Sequence, residues 1–290
     1  MSWLVVGTIP VEEFPLVEGP CLMTGSRLIV SGEEVKIARG TSALLAAACL
    51  TAQVMGIQAP QALLAGDIGI GRGSARIYER VPSVLKARSL RGITFHYIQP
   101  DLDWHNRILM DMEDLGNKPI LVADAGYMYV AKMSGYASSY DLFTPDVGEM
   151  AFLADERAPH PFYTRGFLTE EEDQVPDLVS RAYRTRGAAE HLLVKGHCDH
   201  IAAKGKIVAK VCEPCIEAME PIGGTGDTLT GIVTGLLAAG LPMVESCLAG
   251  AKANRSMGAL ACPTPASSVK DLLHFLPRSL EDVLRSEAGP

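Results

Sequence analysis

Basic residues are the minority charge in this chain of 290 residues. Lys and Arg number 26 against 34 Asp and Glu, a formal net charge of −8, and no basic tract occurs. Binding to a nucleic-acid backbone draws on clustered Lys and Arg that displace counterions, so no nucleic-acid partner is expected. Long apolar runs are also missing. Residues 43–57 and 231–244 are the longest such stretches, and both contain polar residues. A membrane span needs roughly 18 apolar residues, so no membrane partner is expected either. Residues 1–7 have no basic region and no cleavage-like site, which argues against a signal peptide. Charged residues are only 21% and hydrophobic residues reach 48%. That balance excludes a disordered chain and permits a substantial core.

Seven cysteines, an odd number, stand at 21, 49, 198, 212, 215, 247 and 262. Without a secretory leader, such a count points to a reducing compartment, with the cytoplasm as the expected location.

Short β-like runs alternate with helical ones. Strands are expected at Leu4–Gly7, Arg27–Val30, Ala62–Ile70, Gly92–Ile98, Pro119–Ala123, Tyr140–Thr144 and His191–Lys195. A hairpin follows over Ile201–Cys212, turning near Gly205. Helices are expected at Thr41–Gly56, from Ala75, and at Leu102–Leu115, Asp177–Ala189, Thr228–Ala239 and Val244–Leu260. The polar, Pro-bearing stretch 155–176 reads as a loop or insertion. Strands alternating with helices of this length indicate βαβ units and a mostly parallel sheet. No Pro/Ser/Gly-rich linker and no internal repeat divides the chain, so residues 1–290 are expected to form one α/β domain of three layers, α/β/α.

The most informative segment is Gly223-Gly224-Thr225-Gly226-Asp227-Thr228-Leu229-Thr230-Gly231. It is a Gly-rich turn that opens an apolar helix. Glycines permit close backbone approach and positive φ, and N–H groups at a helix N-terminus favour anions. Asp227 is the odd member, because a carboxylate repels phosphate. It makes chemical sense if it takes a proton from a group that attacks the phosphate. The plainer role is an N-cap on an ordinary helix.

Gly223–Gly231 and its helix resemble the C-terminal signature of the ribokinase-like superfamily. The wording is closest to the YjeF-type carbohydrate kinase branch, which contains the ADP/ATP-dependent NAD(P)H-hydrate dehydratases. Leu142-Phe-Thr-Pro-Asp-Val-Gly-Glu-Met-Ala-Phe-Leu153 resembles that branch's Leu-Thr-Pro-x-x-Gly-Glu-x-x-x-Leu segment. In the kinases an Asn-x-x-Glu pattern here organises Mg²⁺, and the dehydratases usually carry His first. This chain has Asp146 and Glu149, two carboxylates three apart that could orient a hydrated Mg²⁺, or simply complement a helix dipole. Pro119–Ala125, with Asp124 at its strand end as a further candidate substrate contact, and Leu193–Gly196, containing Lys195, resemble further strand ends of the family. Arg39–Ala43 and the Ala-rich run behind it match its N-terminal Gly-to-helix segment.

The resemblance implies a ribokinase-like fold with ATP or ADP at the carboxyl edge of the sheet. Gly223, Gly224, Thr225 and Gly226 would cradle phosphate, with Lys195 on the nucleotide side. Asp227 would handle the proton, and Asp146 and Glu149 would place Mg²⁺. It also implies a small-molecule substrate and a homo-oligomer. Dehydration of hydrated NAD(P)H leads narrowly. A small-molecule kinase and a nucleotide-binding relative without turnover are the alternatives. The departures keep them open: Tyr97–Leu102 lacks the family's Gly-Pro-Gly-Leu-Gly loop, and residues 213–221 lack its usual Asn segment.

Three other clusters are candidates. Gly66–Ser74 follows a strand and opens a helix, with Asp67 and Arg72 as possible substrate contacts and a plain βα turn as the alternative. Its glycine spacing is not a clean dinucleotide fingerprint. Asp101, Asp103 and His105 alternate after a strand, with Asp101 the candidate for substrate and helix capping the alternative. Cys198, Cys212 and Cys215 with His197 and His200 could form a zinc site, although a lone Cys-x-x-Cys is weak evidence. Met110, Met112 and Met150 read as core or cleft filler.

Overall fold

The structure, a computed structural model, describes residues 2–158 and 174–287. Most of the expected insertion at 155–176 lies outside the described residues. Along the chain come β1 (Ser2–Ile9), β2 (Val17–Thr24), β3 (Arg27–Val30), β4 (Glu33–Val35), α1 (Thr41–Val54), β5 (Gln61–Gly66) and α2 (Arg72–Ala87). Then follow β6 (Leu90–His96), α3 (Leu102–Glu113), β7 (Ile120–Asp124), α4 (Gly126–Met133), β8 (Leu142–Phe143), α5 (Val147–Ala154) and α6 (Val175–Arg184). The last part holds β9 (His191–Val194), β10 (Asp199–Ala203), β11 (Lys206–Val211), α7 (Thr225–Ala239), α8 (Met243–Ala261), α9 (Val269–Leu273) and α10 (Leu276–Glu287). This is an α/β fold with a mostly parallel central sheet and flanking helices.

Contacts divide the chain into two compact units. The first holds Val6–Leu16 and Leu64–Lys210, and the second holds Ser2–Val5, Val17–Leu63 and the residues from Val211 on. Strands β1 and β5 give residues to both.

In the first unit, β11-β10-β9-β8-β7-β6 lie side by side in that order. The strands from β6 to β9 pair in parallel, and His96 stands opposite Asp124 in the β6–β7 register. These strands are apolar runs buried on both faces, as a parallel sheet covered by helices requires. His200 pairs with Val194 where β10 turns back antiparallel on β9, and the expected hairpin turns at Gly205, which has positive φ.

In the second unit, β2, β3 and β4 form an antiparallel meander. Helices α1 and α7 pack closely. A Cβ on Gly231 would come 2.2 Å from the Leu44 carbonyl oxygen, and one on Gly235 would come 2.6 Å from Thr51 Cβ. Early residues of α7 therefore meet early residues of α1, and later ones meet later ones. The two helices run in the same direction with their N-termini side by side. Nearly all of α1 is buried, which explains why the sequence reads as apolar all round.

Several element boundaries differ from the sequence reading, three of them at glycine-bearing turns. Helix α7 starts at Thr225 rather than Thr228, and α2 at Arg72 rather than Ala75. Both start on a left-handed glycine, Gly224 or Gly71, which lets the chain turn straight into the helix. Strand β5 ends at Gly66, because the polypeptide there approaches the Val11 and Phe14 carbonyls too closely for any side chain.

Candidate active site

The Gly-rich turn lies in the second unit. Gly224 is the N-cap of α7 at φ 105°, and no side chain caps this end. Thr225 and Asn254 brace the first turn: Asn254 Nδ2 donates to the Thr225 carbonyl at 3.1 Å, and Thr228 donates to Asn254 Oδ1 at 2.7 Å. Asp227 sits at the third helical position, half-buried. Its Oδ2 accepts the N–H of Gly40, the N-cap of α1, at 2.5 Å. One carboxylate therefore links the N-termini of two parallel helices. Each terminus carries a partial positive charge.

The first unit gathers titratable side chains at the carboxyl ends of β6, β7 and β9. Asp124 is buried, and Lys195 Nζ holds its two oxygens at 3.0 and 3.1 Å. His96, also buried, places Nε2 3.7 Å from Asp124 Oδ2, and the Ala125 N–H donates to Oδ1 at 2.8 Å. The Lys195 backbone N–H donates to the Pro145 carbonyl at 2.8 Å, which brings the Thr144-Pro145 strand end alongside.

Asp146 and Glu149 open α5 as a reciprocal cap. Asp146 Oδ1 accepts the Glu149 N–H at 2.7 Å, and Glu149 Oε2 accepts the Asp146 N–H at 2.9 Å. Tyr129 donates to the other Glu149 oxygen at 3.0 Å. Burial, and then the charges of Asp146 and Asp124, push the Glu149 carboxyl up to about 8, against the opposing pull of Lys195. Three carboxylates thus share one nearby lysine, and the local field stays negative.

Several expected contacts have local duties. Asp67 holds its own loop: Oδ1 accepts the N–H groups of Gly69, Ile70 and Gly71 at 3.0, 3.1 and 3.0 Å, and Oδ2 accepts the Ser74 N–H and hydroxyl at 2.9 Å each. Partial burial works against ionisation, yet the Ser74, Gly71 and Gly69 bonds hold its carboxyl below the ordinary carboxylate range. Asp67 therefore shapes the loop instead of presenting a free carboxylate. Arg72 is exposed and lies 3.6 Å from Glu12. Both line a cleft of about 270 Å³ together with Glu13, Ile70 and Arg76. Asp101 caps α3 by accepting the Trp104 N–H at 3.0 Å.

Two sequence readings are corrected. His105 lies fully buried, 2.8 Å from the Tyr140 hydroxyl and 3.1 Å from the Ser134 hydroxyl, so it is core rather than a substrate contact. Cys198 and Cys212 are disulfide-bonded. Neither thiolate is available to a zinc ion.

His96 was not singled out from sequence. The available signal was one polar residue near the end of the apolar run Gly92–Ile98.

Residues 102–278 match the carbohydrate-kinase family model described as NAD(P)H-hydrate dehydratase. The uncharacterized protein MJ1337 of Methanocaldococcus jannaschii is 40% identical over 221 residues, covering 76% of this chain and 90% of its own length. A ribokinase-like superfamily protein from Enterococcus faecalis superimposes with a TM-score of 0.55 at 14% identity, covering 97% of this chain and 87% of its own. Pyridoxal kinase of Bacillus subtilis, solved as an ADP complex, gives 0.54 at 14% identity, covering 86% and 88%. At these identities the structural likeness shows a shared ribokinase-like fold. Among the described residues, no helix is long and apolar enough to cross a membrane.

Proposed function

The chain belongs to the carbohydrate-kinase family of NAD(P)H-hydrate dehydratases, and on that premise we propose that it is an ATP- or ADP-dependent enzyme that dehydrates hydrated NAD(P)H. The observation that carries the reading is Asp227, fixed to Gly40 beside the uncapped N-terminus of α7. The N–H groups of Gly223, Gly224, Thr225 and Gly226 would receive phosphate oxygens. Asp227 would accept the proton of the substrate hydroxyl as its oxygen attacks the terminal phosphorus and the shortened nucleotide leaves. Phosphate then departs from carbon with the bonding electron pair, the neighbouring carbon gives up a proton, and the ring double bond forms.

Asp146 and Glu149 are the residues to hold Mg²⁺, with Asp124 adding to the field they face. Their chemistry fits a hard cation, which takes carboxylate oxygens. Bound there, Mg²⁺ would neutralise phosphate charge. Lys195 would anchor Asp124 and fix the strand end that carries Asp146.

A second reading, a small-molecule kinase whose product keeps the phosphate, draws on the Gly66–Ser74 loop and its cleft with Arg72. Incubation with ATP or ADP and hydrated NADH, followed by ³¹P NMR and NADH absorbance, separates the two. The dehydratase gives inorganic phosphate and restored absorbance, whereas a kinase gives a new phosphoester. No nucleotide consumption with hydrated NADH, pyridoxal or sugars would favour a binding protein without turnover.

A further inference from the structure

Helix α4 grips α5, the helix that Asp146 and Glu149 open, at both ends. At the start of α5, the Tyr129 hydroxyl donates to Glu149 Oε1 at 3.0 Å. One turn further along α4, Lys132 donates to the Phe152 carbonyl and, at 2.6 Å, to the Asp155 carbonyl at the end of α5. Phe152 lies between the two grips and is fully buried. The Tyr129 ring meets it edge-on, with centroids 5.3 Å apart and planes at 80°, and Lys132 Nζ stands 3.8 Å from its ring centre.

The two grips differ in what they hold. Lys132 takes backbone carbonyls that a helix C-terminus leaves unsatisfied, a need of the fold itself. The Tyr129 ring fills space against Phe152 that phenylalanine would fill equally well. Its hydroxyl, however, bonds a carboxylate oxygen that the helix cap does not use, because the reciprocal cap of α5 engages only Glu149 Oε2 and Asp146 Oδ1. Glu149 thus has a donor on each oxygen, the Asp146 N–H on Oε2 and the Tyr129 hydroxyl on Oε1. A carboxylate oxygen accepts at about two positions, so each keeps one for a further partner.

We propose that Tyr129 is a positioning residue that sets which cation the Asp146 and Glu149 pair takes. By holding Oε1, its hydroxyl keeps Glu149 from giving both oxygens to one ion. Ca²⁺ gathers about six to eight oxygens and often takes both from one carboxylate, whereas the smaller Mg²⁺ keeps several waters and needs only one or two carboxylates. The Tyr129 bond therefore favours Mg²⁺ over Ca²⁺. It also fixes the carboxylate's orientation, as hydrogen bonds to ligating groups do. The proposal rests on the Mg²⁺ reading above and adds to it a residue and a selectivity.

The test is the melting temperature of the full chain against MgCl₂ or CaCl₂ at constant ionic strength, because an ion that binds only the folded state raises it as the site fills. Wild type should respond at lower Mg²⁺ than Ca²⁺. Tyr129→Phe keeps the ring against Phe152 and should fold. Its half-saturating Mg²⁺ should rise by about tenfold or more, the scale of a lost bond to a ligating group. Its response to Ca²⁺ should not weaken, so the preference narrows. Lys132→Met loosens the far end of α5 without touching Glu149 and should keep both wild-type responses. The proposal is overturned if wild type prefers Ca²⁺, or if Tyr129→Phe keeps the wild-type preference. It is also overturned if Lys132→Met weakens Mg²⁺ as much, which would make the effect one of helix packing. Each of these results leaves the pair standing as a cation site. A wild type that neither ion stabilises would instead remove the Mg²⁺ assignment itself, and this proposal with it.

Discussion

Lys195 holds both oxygens of Asp124, at 3.0 and 3.1 Å, in a pair whose side chains are only 14% and 2% exposed. Removing the lysine strands a buried carboxylate. Lys195→Met should therefore destabilise the fold by about 3 kcal/mol, the cost of breaking a buried pair from one side. Adding Asp124→Asn should recover much of that loss, because the remaining partner is then neutral. Urea denaturation of both single variants and the double gives the coupling, and strict additivity would show that the pair does not act as a unit.

His105 provides a pH signature. Burial drives its imidazole from the ordinary 6.5 down to about 4, while the Asn106 contact pulls the other way. The folded protein binds fewer protons than the unfolded chain between these values, so stability is lost as pH falls through that window. The full effect is ~3 kcal/mol at about 1.4 kcal/mol per pH unit. His105→Gln should flatten the acid side of a melting-temperature profile between pH 6.5 and 4. An unchanged profile would mean the imidazole keeps its ordinary proton affinity.

Some of this was legible in the sequence, and the reason is locality. Gly223–Gly231 carries its glycines, its carboxylate and its helix in one stretch, and α1, β7 and the β10–β11 hairpin each announce themselves by a local period. Strand β2 and helix α4 were missed. The alternation in β2 is broken by Gly19 and Pro20, and α4 follows Ala125, whose positive φ no residue type there signals. The site residues were harder. Asp67 looks like a ligand until its loop closes around it, and His105 looks like one until Tyr140 and Ser134 cover it. His96 meets Asp124 only when β6 lies beside β7, a pairing between segments about 28 residues apart.

Gly231 sets how near α1 can approach α7. A Cβ there would lie 2.2 Å from the Leu44 carbonyl oxygen, a backbone atom that cannot swing away. Gly231→Ala should force the helices apart at a cost of about 1–3 kcal/mol, as overpacking does. It should also lower turnover more than an equally destabilising change elsewhere, because the Asp227–Gly40 bond lies at the N-terminal end of the same helix pair. Comparison with Lys195→Met at matched temperature below each melting point does not isolate this effect, since Lys195 belongs to the site. His105→Gln is the proper reference.

The most direct test of the whole account is turnover of Asp227→Asn, measured beside ADP binding by calorimetry. Asparagine keeps an oxygen to accept the Gly40 N–H, so the fold and the phosphate cradle should persist, but an amide cannot take the proton of an attacking hydroxyl. The predicted result is a turnover loss of about 100-fold or more, the scale of a lost general base, with ADP affinity within a few-fold of wild type. Turnover that stays within a few-fold of wild type would contradict the assignment of Asp227 and the mechanism built on it.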